Sequence, residues 1–226
     1  KGAGQRRIHV HGDAGHGSTP YGKDFAILKI GEVARRIAAA EPPVASNEIW
    51  EGFVKTFKFD PETEAALIAG TGDYSKFGDL AAYAHAFSHT TIAETVLRAG
   101  GAINVLPSHA YLEMDIRPFP GQTQDELDDF LREALGDLAD EVEIEHLITE
   151  DATQSSTDSK LWHAIEATSK EFFPDKDVVP VHATGGSDLR FARRMGGNAY
   201  GFAMHAEARD MASANSQLHR HDEHLY

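Results

Sequence analysis

The sequence predicts an α/β protein in which strands and amphipathic helices alternate along the chain. Apolar residues recur at helical spacing in several segments, and polar and apolar residues alternate in others, as they do in half-buried strands. The composition agrees, because 41% hydrophobic and 25% charged residues are ordinary values for a globular protein. At 226 residues the chain is long enough for one large domain or two smaller ones, and we expect two.

The chain begins with a predicted strand and a predicted helix. Residues 6–11 alternate between polar and apolar, which indicates a half-buried strand. Apolar residues fall at helical spacing over residues 24–40, and prolines end that segment. Residues 41–58 lack clear periodicity and are expected to contain a loop. Residues 60–68 predict a shorter helix, because an aspartate at the N-cap is followed by a proline and by acidic residues.

Two strands, a helix and a further strand follow. Residues 92–97 and 110–116 predict strands that pair with each other. A capping box predicts that a helix begins at residue 123, and residues 142–147 alternate as a strand does. Residues 6–147 therefore have the order strand, helix, two strands, helix, strand, which is the order of a ferredoxin-like α+β domain.

A polar stretch after Thr149 separates this domain from the rest of the chain. We therefore expect one domain over residues 1–149 and a second unit over residues 150–226. The second unit contains predicted elements at 160–172 (helix), 178–181 (apolar segment), 188–195 (helix) and 199–203 (strand). Because so short a segment makes a poor core alone, we expect it to complete a sheet whose other strands lie outside this sequence.

Charge and composition exclude several functions. A net charge of −15 argues against a nucleic-acid partner, since phosphate binding needs clustered lysine and arginine. No apolar run is long enough to span a bilayer, so we expect a soluble, cytoplasmic protein. The absence of cysteine excludes disulfides and thiolate zinc sites, which leaves histidine and carboxylate as metal ligands. The chain starts at Lys1 without an apolar signal segment, so we expect this start to be internal to a longer protein.

Two motifs in the predicted first domain have side chains suited to a functional site. His16 lies in a glycine-containing loop between the first strand and the first helix; it is either an accessible functional group or a turn residue bonded to nearby backbone. Asn104 offers an amide donor, and Arg117 offers a planar guanidinium suited to a carboxylate. Their alternatives are a turn residue and a surface ion pair.

Two further motifs lie in the second unit. Gly185, Gly186 and Ser187 form a turn before a predicted helix, where backbone N–H groups could bind an anion, or a plain turn capped by Asp188. No lysine follows the glycines in the pattern of a phosphate loop, which argues against nucleotide binding. His219 precedes Glu223 by four residues, a spacing that suits a metal site or a solvated polar tail.

Taken together, these motifs resemble those of one family of enzymes. The matching stretches are His-Gly-Ser-Thr-Pro at 16–20, Asn-Val-Leu-Pro at 104–107, Asp-Ile-Arg at 115–117, Pro-Gly at 120–121, Gly-Gly-Ser-Asp at 185–188 and His-Arg-His-Asp-Glu at 219–223. Their order and approximate distances resemble the zinc-dependent peptidase and amidohydrolase family of glutamate carboxypeptidase, aminoacylase and succinyl-diaminopimelate desuccinylase. The resemblance covers almost the whole chain.

The resemblance implies a division of labour between the two units. Residues 1–149 would form the family's ferredoxin-like lid, or dimerisation, domain, and residues 150–226 the C-terminal part of its α/β catalytic domain. The family holds two zinc ions with an early His-x-Asp, a second Asp, a Glu-Glu pair and a late His. Only the late histidine is matched, by His219, while His11 and Asp13 fall on the lid and are not expected to bind metal. The chain alone is therefore expected to bind zinc weakly at most and not to catalyse.

The resemblance also assigns roles to the residues that are present. His16 resembles the lid histidine that donates to the oxyanion, commonly in the active site of the partner subunit. Asn104 resembles a second lid residue that contacts substrate. Arg117 and the turn at residues 185–187 resemble groups near the substrate's free carboxylate. The implied activity is hydrolysis of the amide bond of an N-acyl amino acid or short peptide, in a homodimer formed through the lid.

Two other functions remain open at this point. One is a stand-alone dimerisation or ligand-binding module without catalysis. The other is a new histidine-only metal site, drawn from His9, His11, His16, His219, His221 and His224.

Overall fold

The computed structural model describes residues 1–202, and it divides the chain into two units. Lys1–Pro43 and His89–Gln154 form the first unit, and Val44–Ser88 joins the chain from Ser155 onward in the second. The structure thus differs from the single boundary predicted between residues 149 and 150. The physical reason is that the 44–88 segment has an apolar core of its own, which also includes Val179.

The described residues combine strands and helices, which confirms the predicted α/β class. The elements are β1 (Ala3–His11), β2 (Gly15–His16), α1 (Ala26–Ala39), α2 (Glu48–Lys55), α3 (Pro61–Ile68), α4 (Ala81–Ser88), β3 (Thr91–Ala99), β4 (Val105–Leu106), β5 (His109–Arg117), α5 (Gln124–Leu135), β6 (Val142–Glu150), α6 (Lys160–Phe172) and α7 (Leu189–Arg194). Short 3₁₀ helices occupy Tyr74–Leu80 and Gly136–Glu141. Among residues 1–202, no helix has the length and apolar character needed to cross a membrane.

A four-stranded antiparallel sheet forms the centre of the first unit. Its strand order is β3-β5-β1-β6, so β1 and β5 are the two inner strands. With α1 after β1 and α5 after β5, this is the predicted ferredoxin-like arrangement. The predicted pairing of the strands near residues 92–97 and 110–116 is confirmed by the β3–β5 ladder.

One face of this sheet is apolar and is covered by α1 and α5. The buried residues alternate along the two inner strands and recur at helical spacing on the two helices: Ile8, Val10, Leu112, Met114, Ile116, Ile30, Val33, Ile37, Leu127, Leu131 and Leu135. The capping box at Thr123 and Glu126 fixes the start of α5 as predicted. The residues between the buried ones on the two inner strands point away from the helices. Most of them are polar, for example Arg7, His9 and Glu113, so the opposite face of the sheet is polar.

A buried arginine lies within the apolar face. Arg6 is fully buried, and its Nε donates to Oδ1 of Asp128 on α5 at 2.8 Å. Its Nη2 also donates to Oε1 of Gln124 at 2.9 Å, and the second oxygen of Asp128 is 2.6 Å from Nε2 of His146. The network therefore connects β1, α5 and β6. It also supplies hydrogen-bond partners to the guanidinium of Arg6, which is fully buried.

The second unit is rich in aromatic contacts. Trp50 is buried and stacks with Phe53 at a ring-centroid distance of 5.8 Å, while its Nε1 donates to the Leu67 carbonyl at 3.0 Å. The α3 helix begins as predicted, since Asp60 accepts from the backbone N–H of Thr63. The loop expected within residues 41–58 is present over residues 41–47, and it is followed by α2, a helix that the sequence did not predict.

The sequence did not predict α2 because this helix is short. Its eight residues give too few turns for a periodic pattern to stand out, yet Asn47 caps it by accepting from the N–H groups of Ile49 and Trp50.

The prediction of a strand over residues 199–203 was wrong for residues 199–202, which do not form a strand. The backbone of Ala199 is bonded to side chains instead: its N–H donates to Ser155 Oγ at 2.9 Å, and its carbonyl accepts from Arg193 Nη2 at 2.6 Å. Side chains thus satisfy the groups that a neighbouring strand would otherwise have bonded.

We predict that Arg6→Met destabilises the first unit by about 3 kcal/mol, because it leaves the Asp128 carboxylate without its buried cation. Exchange of the β1 and β5 amides would then accelerate by about a hundredfold or more in a hydrogen-exchange measurement. Hydrogen exchange is the suitable probe because both tryptophans, Trp50 and Trp162, lie in the second unit.

The double variant Arg6→Met/Asp128→Leu serves as the control, since it leaves no unpaired charge and should recover much of the loss. Equal exchange in Arg6→Met and the unsubstituted chain would contradict the role given to this network.

Candidate functional site

The two inner strands of the sheet continue beyond its end as a small ladder. The β1–β5 pairing reaches His11 opposite His109, and the N–H of Gly12 then donates to the Ser108 carbonyl at 3.0 Å. Beyond this bond β2 pairs with β4, with His16 opposite Val105. The pairing therefore brings together two chain segments that are far apart in sequence.

These segments are the His16 loop and the Asn104 loop, which the sequence predicted separately. The N–H of Gly17 donates to the Asn104 carbonyl at 2.8 Å. A Cβ atom at residue 17 would lie 3.3 Å from the backbone carbon and oxygen of Asn104, a separation that requires the neighbour to move. Glycine at this position therefore permits the two loops to approach closely.

The imidazole of His16 is oriented by the residue two positions further on. Its Nδ1 accepts from the backbone N–H of Ser18 at 3.2 Å and lies 2.7 Å from the Ser18 hydroxyl oxygen. A ring nitrogen that accepts from an amide N–H must carry the lone pair, so the hydrogen-bond network assigns the hydrogen of the neutral ring to Nε2. His16 is exposed, and the ring thus presents an N–H donor at the surface beside Asn104.

Arg117 is at the other end of β5. Eight residue steps separate it from His109 along the strand, which corresponds to about 27 Å. Its Nε donates to Asp115 Oδ2 at 3.0 Å, and Gln5 holds the other oxygen of that carboxylate. The structure therefore does not bring Arg117 together with His16 within one copy of the first unit.

A second cation, which sequence reasoning missed, lies near Arg117. The ammonium group of Lys1 donates to the His89 carbonyl at 2.6 Å and lies 4.7 Å from the centroid of the Phe119 ring. Burial, and then the positive charge of Arg117, lower the pKa of Lys1 to about 7. No local motif marks this lysine, because its environment is created by residues distant in sequence.

The turn at Gly185, Gly186 and Ser187 lies in the second unit, just before α7. The Ser187 hydroxyl oxygen accepts from the N–H of Leu189 at 3.3 Å, and its carbonyl accepts from the N–H of Arg190 at 3.1 Å. Asp188 occupies the N-cap position of α7, as the plain-turn alternative expects, but its side chain makes no capping hydrogen bond.

A buried histidine lies immediately before this turn. His182 is 6% exposed, and its Nε2 is 3.1 Å from Nδ2 of Asn47, the residue that caps α2. The contact spans 135 sequence positions, so no local pattern could have identified it.

The metal-ligand predictions fall largely beyond the described part of the chain. His219 lies outside residues 1–202. Asp13 Oδ2 accepts from the N–H of Asp24 at 3.0 Å and so braces the loop that carries His16, while the His11 ring lies 5.2 Å from that of His109. Within residues 1–202, no three histidine, aspartate or glutamate side chains are grouped so as to hold a metal ion.

Solved structures share the fold of this chain. It superposes on the dipeptidase Dug1p of Saccharomyces cerevisiae with a TM-score of 0.56 and 13% identity, covering 87% of this chain and 46% of that one. It superposes on the M20 family metallo-carboxypeptidase Sso-CP2 of Sulfolobus solfataricus with a TM-score of 0.54 and 16% identity, covering 86% and 56%. For human carnosine dipeptidase 1 the TM-score is 0.54 at 11% identity, covering 86% and 46%.

Sequence comparison supplies the family. The chain is 32% identical over 137 residues to the probable carboxypeptidase S-like 2 of Dictyostelium discoideum, a match covering 60% of this chain. The chain spans a quarter of the length of that relative. Residues 1–143, well over half of the chain, match the family model of the peptidase dimerisation domain. The resemblance drawn from the sequence motifs is therefore confirmed, and the chain belongs to the peptidase dimerisation domain family of the M20 peptidases.

Proposed function

We propose that this chain is part of a metal-dependent hydrolase that cleaves the amide bond of N-acyl amino acids or short peptides with a free carboxylate. In this proposal residues 1–149 supply the lid, or dimerisation, domain, and residues 150–226 the C-terminal part of the catalytic domain. Membership of the peptidase dimerisation domain family supports it. So do the names of the similar proteins, which are carboxypeptidases and dipeptidases.

The orientation of the His16 ring carries the proposal. Hydrolysis of an amide passes through a tetrahedral oxyanion, which is stabilised by donors that are already in position. Ser18 occupies Nδ1 of His16 and leaves Nε2–H as the donor, so the neutral ring can bind the oxyanion without first exchanging a proton.

Asn104 adds a second polar group to the same end of the sheet. Its carboxamide can donate to a substrate oxygen or accept from a substrate N–H. The bond between Gly17 and the Asn104 carbonyl fixes the spacing of the two loops, so we assign substrate contact to Asn104.

The carboxylate of the substrate would be bound by Arg117 and by the turn at Gly185, Gly186 and Ser187. Guanidinium matches a carboxylate in geometry, and backbone N–H groups of a turn favour an anion. A dipeptide is only about 7 Å long, however, whereas about 27 Å of strand separates Arg117 from the His109 end of β5. His16 and Arg117 of one copy therefore serve different active sites, which supports a homodimer through the lid.

Zinc is the metal that the family implies. When bound, it would polarise the scissile carbonyl and supply an activated water. A chain without cysteine would hold it through histidine and carboxylate, and we propose His219 as one ligand. In the hydrolase we assign residues 1–202 the binding and positioning of the substrate, since no three histidine, aspartate or glutamate side chains among them are grouped so as to hold a metal ion. The isolated chain is proposed to bind zinc weakly and to be inactive.

We predict that His16→Ala lowers kcat about 10²- to 10³-fold with little change in KM, because it removes a donor to the oxyanion. Hydrolysis of acetyl-amino acids and dipeptides should be measured in the protein that carries this chain with its metal-binding half. Ser18→Ala is the matched control and should cost less, since the ring remains. An unchanged kcat in His16→Ala, or turnover by the isolated chain with zinc, would contradict the proposal; turnover by the isolated chain would show that it holds the complete machinery.

We also predict complementation between two inactive variants. In an equal mixture of His16→Ala and Arg117→Ala subunits, half of the dimers are mixed, and each mixed dimer contains one intact site. Activity should therefore recover to about a quarter of the unsubstituted level after subunit exchange. If mixed dimers form but the mixture stays as inactive as its components, the two residues belong to the same site or to no active site. If no dimer forms, the result counts against both the homodimeric enzyme and the stand-alone dimerisation module.

A further inference from the structure

Three histidines lie side by side on the polar face of the first unit's sheet. His9 and His11 project from β1 and His109 from β5, with His11 directly opposite His109. The ring centroids are 5.1 Å apart for His9 and His109 and 5.2 Å apart for His11 and His109. His16, which the sequence grouped with His9 and His11, lies on β2, is bonded to Ser18 and does not belong to this cluster.

The nitrogens of His9 and His109 have a spacing that suits a metal chelate. Nδ1 of His9 is 2.9 Å from Nε2 of His109. Two imidazole nitrogens bound to one ion at about 2.0–2.1 Å in neighbouring positions, at a right angle, lie about 2.9 Å apart. Without metal, the same distance is that of a hydrogen bond between the two rings.

A carboxylate already orients the first of these rings. Nε2 of His9 is 2.9 Å from Glu145 Oε2, and Arg7 Nη1 donates to the same oxygen at 2.9 Å. The carboxylate acts as acceptor, so His9 carries its hydrogen on Nε2 and directs the lone pair of Nδ1 toward His109. Metal-binding histidines are oriented in this way by a carboxylate on the far nitrogen.

Charged groups on this face hold the Glu145 carboxylate in place. Arg7 pairs with both Glu113 and Glu145, and its guanidinium carbon lies 4.8 Å from the centroid of the Tyr111 ring. Glu143 on β6 lies opposite His9. These contacts keep the Glu145 carboxylate beside the His9 ring.

We propose that His9 and His109 form a two-histidine site for a divalent transition-metal ion, with Glu145 as the orienting carboxylate and His11 as a neighbouring third imidazole. In the described part of the chain no three ligands converge on one point, so water completes the coordination. Nitrogen ligands and the general order of divalent affinities favour Cu(II) over Ni(II) and Zn(II). The site is separate from the proposed hydrolase function.

The test is a titration of the complete 226-residue chain with copper(II) chloride. Calorimetry measures the affinity, and electron paramagnetic resonance detects the coupling of copper to nitrogen ligands. His9→Gln and His109→Gln should each weaken binding by at least about tenfold, and Glu145→Gln by about tenfold. His163→Gln is the matched control and should leave affinity unchanged. It removes a histidine that also contacts carboxylates, Asp158 and Glu166, but that has no histidine partner among residues 1–202.

Acidification through the titration range of histidine should release the metal, because protonated imidazole cannot bind it. Copper affinity that is equal in His9→Gln, His109→Gln and the unsubstituted chain would overturn the proposal. So would binding lost in His219→Gln and retained in His9→Gln, which would place the ion at the proposed catalytic ligand instead. Neither result depends on hydrolytic activity, so failure of this site and failure of the proposed function are distinguishable.

Discussion

The antiparallel register of β1 and β5 is the constraint on which the rest of the first unit depends. It places Ile8 opposite Leu112 on the face covered by helices, and it continues past Gly12 to place His16 opposite Val105. A slip of one residue would turn every side chain of β1 to the other face, burying histidine and exposing isoleucine. The same pairing therefore determines the core and the position of the candidate site.

The site consequently lies at the end of the sheet of the first unit. His16 and Asn104 are exposed groups held by backbone bonds and by Ser18, an arrangement that suits residues which complete an active site formed elsewhere. The buried Arg6 network joins β1 to α5 and β6 and so stabilises the strand that leads to the site. A change in β1 is therefore expected to affect both the core and the position of the candidate site.

Local patterns in the sequence were sufficient for elements whose ends carry their own signals. The capping box at Thr123 fixed α5, and apolar periodicity fixed α1, whereas the short α2 gave no clear period. Residues 199–202 contain apolar side chains but bond to Ser155 and Arg193, which alternation could not reveal. His16 and Asn104 were identified singly from motifs. The bond between their loops, from the N–H of Gly17 to the Asn104 carbonyl, depends on pairing between distant segments and was not predictable. The orientation of His16 by Ser18 was not predicted either.

His16 presents an Nε2–H donor because Ser18 occupies its Nδ1. The most direct test is the tautomer of that ring, determined from the ¹⁵N chemical shifts of both imidazole nitrogens by NMR on the labelled chain, above the pH at which the ring protonates. We expect Nδ1 to show the shift of a nitrogen without hydrogen and Nε2 that of a nitrogen bearing hydrogen, with Ser18→Gly weakening this preference. A His16 ring with its hydrogen on Nδ1 in the unsubstituted chain would contradict this role of Ser18.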